Sequence, residues 1–296
     1  MKTVRLDDRT IAYREAGSGP AVLLLHGWPT SSFLWRDVIP HLAARHRVIA
    51  PDLPGFGASD KPLDVRYGFG LFDGVLDGLL GALEVDRVAL VVHDLGGPIG
   101  LHWALARPER LTHLVLLNTL VYPEFSPAVQ EFVMALASPQ RRGELTSPEG
   151  LTEVLRLGLA REAHLTDEVL AGVLAPLATD DDRQALARAG IGLELDRFAA
   201  IARGLPTLDV PVRVVYGERD RILPDVAETM ARVARDLPQA EVTALPGVGH
   251  FLHEEAPAEV GRLLAAFLEA YRDSPSIAAA TRDPLMATND TSVTAL

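Results

Sequence analysis

Three residues have the types and spacing of a nucleophile, an acid and a base. Asp94 closes an uninterrupted apolar run, residues 88–92, and is followed at once by Leu95, Gly96 and Gly97. A continuous apolar run reads as a buried parallel strand, and the glycines permit a sharp turn into a helix from Ile99 onward. That arrangement lifts one side chain to the top of a sheet on a strained elbow. Aspartate at an elbow is a carboxylate nucleophile, suited to attack on carbon and to a covalent ester intermediate. Asp220 ends the string Gly217-Glu218-Arg219-Asp220 after the strand expected at residues 210–216, and His250 follows Gly249 in the loop after the strand expected at 241–245. A histidine so placed serves as general base, and a carboxylate behind it orients and stabilises the imidazolium.

Each residue has rivals. Glu218 lies close to the same strand end as Asp220, and Asn118, after an earlier strand, cannot carry the acid's charge. His253 lies one turn beyond His250 and is expected to face solvent, while His26 and His93 are expected to buttress loops. Ser31, Ser32 and Ser59 lack an elbow, which argues against a serine nucleophile.

The elements that must position these groups can be read in order. Strands are expected at residues 3–6, 10–15, 21–25, 47–52, 88–92, 114–118, 210–216 and 241–245. Helices are expected at 32–45, 69–83, 99–106, 225–236 and 258–271. Thr30 or Ser31 can cap the first helix, and Trp28-Pro29 is a candidate cis peptide. Between residues 119 and 207 no run resembles a sheet strand, and helical stretches alternate with Pro, Gly, Ser and Asp breaks. The expectation is an α/β fold with a mostly parallel central sheet flanked by helices and an inserted helical cap. Its core comprises residues 1–118 and 208–273, its cap 119–207, and residues 274–296 form a mobile tail. Chemistry in such sheets sits beyond the carboxyl ends of the strands. Trp28, Asp94, Asn118, Asp220 and His250 all fall there.

Bulk composition narrows the partners. The 296 residues suffice for one large domain with an insertion. A net charge of −12 argues against nucleic acid. The absence of cysteine excludes thiol catalysis, disulfides and zinc–thiolate sites. No stretch has the length of a signal peptide's apolar core or of a membrane span. A cytoplasmic monomer or homodimer is expected, acting on a small-molecule substrate with no metal or cofactor and no membrane or nucleic-acid partner.

The chain resembles the α/β-hydrolase superfamily in its aspartate-nucleophile branch, the haloalkane dehalogenases and epoxide hydrolases. His26-Gly27-Trp28-Pro29, the loop residues 51–62, Val91-Val92-His93-Asp94-Leu95-Gly96-Gly97 and residues 249–257 carry the resemblance. It implies an alkyl–enzyme ester at Asp94, hydrolysed by water that His250 activates with help from Asp220. The backbone N–H groups of Leu95 and Trp28 would hold the oxyanion. The leaving-group side departs from both relatives. Dehalogenases typically follow the nucleophile with a halide-binding tryptophan, where this chain has Leu95. Trp28 replaces their asparagine donor, and residues 119–207 contain no tryptophan. Loose comparison puts Arg141 or Arg142 near the missing donor, although solvated surface arginines are the simpler expectation. Epoxide hydrolases use a cap tyrosine pair, and only Tyr122 lies near the cap here. Leu95 likewise argues against fluoroacetate dehalogenases, which carry an arginine there. Enzymes that open or decarboxylate β-lactones need less help for the leaving group. The resemblance therefore implies a haloalkane dehalogenase-like hydrolase of a small apolar substrate. Epoxide and β-lactone chemistry are the alternatives, and a non-catalytic small-ligand receptor is a further one.

Overall fold

The structure, a computed structural model, describes residues 1–271; the tail expected at 274–296 lies outside the described residues. Eight strands form one sheet: β1 (Lys2–Leu6), β2 (Arg9–Ala16), β3 (Ala21–Leu25), β4 (Arg47–Pro51), β5 (Val88–Asp94), β6 (Leu111–Thr119), β7 (Val212–Gly217) and β8 (Ala240–Leu245). Their order across the sheet is β1-β2-β4-β3-β5-β6-β7-β8. The pairs β1–β2 and β2–β4 are antiparallel, and every pair from β4 to β8 is parallel. β5 lies at the centre and is buried along its whole length, as its unbroken apolar sequence requires of a strand covered on both faces.

The helices of the sheet layers are α1 (Ile39–Ala43), α2 (Phe69–Ala82) and α3 (Gly96–Ala106). Those joining β6 to β7 are α4 (Pro127–Ala137), α5 (Pro139–Leu145), α6 (Pro148–Gly158), α7 (Asp167–Leu174), α8 (Asp180–Gly190) and α9 (Leu195–Gly204). The last are α10 (Val226–Asp236), α11 (Leu252–Glu255) and α12 (Pro257–Ala270). On one face Phe72, Leu76 and Leu79 of α2, Ile99 and Trp103 of α3 and Met230 of α10 pack against Leu23, Leu90 and Leu116. On the other, Ile39 and Leu42 of α1 and Val260, Leu264 and Phe267 of α12 cover Val22, Val91 and Val115. No helix among the described residues is long and apolar enough to cross a membrane.

Residues 120–211 contain helices and 3-10 turns and no strand. Their boundaries follow from side-chain capping. Ser126, Ser147 and Thr166 accept from Val129, Gly150 and Val169 N–H at the starts of α4, α6 and α7. Thr179 and Asp182 form a reciprocal capping box on α8. Each such cap contributes about 1 kcal/mol.

The helix expected over residues 32–45 is not continuous. A 3-10 turn (Ser32–Trp35), capped by Ser31, precedes α1. Pro40 is the physical reason, since it has no N–H to continue a helix and is tolerated only in the first turn. The Trp28–Pro29 peptide is cis.

Candidate active site

Asp94 stands where β5 turns into α3, with φ +50°. A non-glycine residue in this left-handed region carries strain that neighbours must hold. The neighbours are specific. Thr119 Oγ1 donates to the Asp94 carbonyl at 2.5 Å. A Cβ on Gly96 would lie 2.6 Å from the carbonyl oxygens of Leu25 and His26, so the turn closes only with glycine there. Gly27 has the same necessity on the opposite side, because a Cβ would come within 2.2 Å of Asp94 Oδ1. That close approach lets Trp28 N–H donate to Asp94 Oδ1 at 2.8 Å, and Leu95 N–H donates to the same carboxylate.

His250 is fully buried, and its backbone is held at both ends. Its N–H donates to Gly158 O at 2.7 Å. His93 Nε2 lies 3.0 Å from its carbonyl oxygen, so His93 donates from that nitrogen. His250 Nδ1 is 2.8 Å from Asp220 Oδ2, and Nε2 points toward Asp94 Oδ2 at 3.6 Å. Asp220 Oδ1 accepts from Ile222 and Leu223 N–H, each at 2.8 Å. Asn118 Nδ2 donates to Asp220 Oδ2 at 2.7 Å, and Asn118 Oδ1 accepts from Gly217 N–H at 3.0 Å. A carboxylate bonded by this many donors is fixed in rotamer.

Burial pushes the Asp94 carboxyl above the usual carboxylate range, against the opposing pull of His250 and the backbone N–H groups. Burial works to lower the His250 imidazole, but the charge and hydrogen bond of Asp220, and then the charge of Asp94, leave it above its ordinary value. The geometry is thus a carboxylate on an amide cradle, facing an imidazole anchored by a second carboxylate.

Both groups open into a cavity of about 210 Å³. Its walls include Leu95, Val129, Phe132, Val154, Leu223 and Phe251, which suits a small apolar guest. Trp28 also lines it. Its indole N–H, however, donates to Leu186 O of α8 at 3.2 Å and edges onto Phe132. Arg221 reaches the cavity wall, with its guanidinium on the carbonyls of Arg156 and Leu159.

Several expectations need correction. Tyr122 lies away from the cavity, its hydroxyl donating to Asp236 at 2.7 Å under the Arg232 guanidinium. Arg141, a donor candidate only on loose comparison and more simply a surface arginine, pairs with Glu131 on the outside of α4 and α5 and offers the cavity no donor. His253 does not face solvent. Its ring packs edge-on at 4.3 Å from Trp35 and 4.7 Å from His93, because α11 turns that position inward and leaves Glu254 to pair with Arg36. Glu218, the rival acid, is exposed. His26 does buttress a loop, its Nε2 accepting from Leu53 N–H at 3.0 Å. The sequence marks Asn118 only as a position where the acid could stand; its bridge between β7 and Asp220 comes from the fold. The grip of Thr119 on the elbow likewise carried no signal in the chain.

A sequence family described as alpha/beta hydrolase fold matches residues 20–257. A haloalkane dehalogenase of Mesorhizobium japonicum is 33% identical over 281 residues, covering 88% of each chain. Haloalkane dehalogenase 2 of Mycobacterium tuberculosis is 31% identical over 265 residues, covering 88% of this chain and 91% of that protein. Among solved structures, haloalkane dehalogenase DbeA from Bradyrhizobium elkani superposes with a TM-score of 0.81 at 28% identity, covering 92% of this chain and 98% of that one. DatA from Agrobacterium tumefaciens superposes with a TM-score of 0.80 at 26% identity, covering 91% and 96%.

Proposed function

This chain belongs to the haloalkane dehalogenase family of α/β-hydrolase-fold enzymes, and from that membership we propose that Asp94 is the nucleophile of a hydrolase that passes through an alkyl ester. The observation that carries the assignment is the pairing of Asp94 with His250 at the floor of an apolar cavity. Oδ1 accepts from the Trp28 N–H, while Oδ2 faces Nε2 at 3.6 Å.

In the first step Oδ2 attacks a halogen-bearing carbon from the side opposite the halogen. The new C–O bond forms as the carbon–halogen bond breaks, and halide leaves with the electron pair. In the second step His250 Nε2 takes a proton from water, whose oxygen attacks the ester carbonyl carbon. Negative charge gathers on Oδ1, where Trp28 N–H already points, with Leu95 N–H on the same carboxyl group. Asp220 stabilises the imidazolium, which then returns its proton to the departing alcohol. The remaining water proton, left on the Asp94 carboxyl, is released to solvent, so Asp94 is regenerated as carboxylate and the net products are alcohol, halide and one proton.

The leaving-group side favours particular substrates. Leu95 offers halide no side-chain donor, and the Trp28 indole is engaged by Leu186. Weakly basic leaving groups such as iodide and bromide therefore suit this cavity better than chloride. The same feature supports a second reading, attack on a strained ring, because ring opening supplies driving force that a donor otherwise would. A β-lactone fits that reading better than an epoxide, whose alkoxide needs a proton donor that Tyr122 is too remote to give. Halide release from 1-bromobutane, lost in Asp94→Ala, supports the first reading. Product from a β-lactone without halide turnover supports the second. Diol from styrene oxide would mean an epoxide hydrolase.

A further inference from the structure

Five residues beyond His250 a further carboxylate, Glu255, is buried with no part in the triad. The Glu255 side chain has no exposed surface. Its Oε2 accepts from Gly249 N–H at 2.6 Å and Ala160 N–H at 3.1 Å, and its Oε1 accepts from Arg161 N–H at 3.0 Å. The Arg161 guanidinium approaches Oε1 at 3.9 Å and the Glu255 carbonyl at 3.5 Å. Burying a carboxylate is costly unless donors meet it, and here backbone donors from two separate segments do.

Those segments are the residue before His250 and the strand-like turn that leaves α6. The fit between them is close. A Cβ on Gly249 would lie 2.4 Å from Gly158 O and 2.9 Å from Glu255 Oε2. Gly158 O in turn receives the His250 N–H. One carboxylate thus fixes the base's loop against the helical segment over the cavity. None of the Asp94 supports at Trp28, Leu95 and Thr119 is among the groups Glu255 bonds.

We propose that Glu255 is a positioning residue for the hydrolytic half of the reaction, clamping Gly249 to Ala160 and Arg161 so that His250 Nε2 is held for attack on the ester. The inference rests on His250 acting as that base. Ester formation uses the Asp94 elbow and should proceed without the clamp, whereas hydrolysis needs the imidazole in register. Glu255→Gln keeps the shape but replaces one acceptor oxygen with a donor facing N–H groups. Glu255→Asp keeps the charge on a shorter arm.

The test combines rapid-quench kinetics on 1-bromobutane with amide hydrogen exchange of the substrate-free protein. In Glu255→Gln, hydrolysis should slow about tenfold or more and alkylation change less than about threefold, so that the butyl ester accumulates. Glu255→Asp should recover part of the hydrolytic rate. Exchange at Gly249, Ala160 and Arg161 should accelerate about tenfold while β5 amides keep their protection. Equal slowing of both steps, no slowing of either, or unchanged exchange at all three amides would overturn the proposal. If wild type forms no ester under any condition, the nucleophile assignment fails instead, and the exchange measurement still decides the clamp.

Discussion

His250 Nε2 sits 3.6 Å from Asp94 Oδ2, close enough for charge to be felt and too far for a hydrogen bond. The imidazole stands above its ordinary value despite the opposing push of burial, because Asp220 and then Asp94 favour its protonated form. Esterification removes the Asp94 charge. The sign follows directly: losing a neighbouring negative charge lowers a histidine's pKa, so ester formation itself frees the base. Asp94→Asn imitates the neutral ester. Its His250 resonance should titrate at lower pH than in wild type when followed by NMR, and an unchanged or higher value would contradict this coupling.

Asn118 connects Asp220 to β7 through two hydrogen bonds, to Asp220 Oδ2 and from Gly217 N–H. Asn118→Ala leaves a buried carboxylate oxygen and a buried N–H short of partners. The expected cost is about 1–3 kcal/mol in denaturant unfolding, together with a fall in kcat because Asp220 loses its fixed orientation. Activity and stability both within error of wild type would contradict the role.

His253 is held neutral by burial, which pushes it down to about 3. In the unfolded chain it takes up a proton below about 6.5, whereas the folded protein resists until about 3, so stability falls with decreasing pH across that window. The slope from one such group is about 1.4 kcal/mol per pH unit. In His253→Leu the dependence of unfolding free energy on pH between these limits should become shallower by about that amount. An unaltered slope would mean that the ring is protonated in the fold.

The Trp28 side chain and backbone are expected to do different work. The backbone N–H holds Asp94, and the indole N–H latches α8 at Leu186 O. Trp28→Phe keeps the first and removes the second. It should lower Tm while alkylation by 1-bromobutane changes less than about threefold. A loss of about tenfold or more in alkylation, with Tm unchanged, would assign the indole to the leaving group.

The sheet and its strand ends were legible because parallel strands buried on both faces leave long apolar runs, as at residues 88–92 and 114–117. The groups brought together at Asp94, Asp220 and His250 were legible for a related reason: each follows an expected strand, and the ends of parallel strands converge. Pairing across the chain was less visible. His253 looked like a surface residue one turn past His250, and only the inward phase of α11 against Trp35 places it in the core. Tyr122 and Arg141 have the right chemistry for leaving-group donors, but Asp236 and Glu131 engage them elsewhere. Glu255 reaches a segment 95 residues before it in sequence, which no local pattern announces.

The most direct test of the account is the intact mass of His250→Ala after exposure to 1-bromobutane. The ester should form and stall, adding the mass of one butyl group, and the addition should vanish in Asp94→Ala/His250→Ala. An adduct that persists without Asp94, or an unmodified His250→Ala protein under conditions where wild type releases bromide, would contradict the central claim.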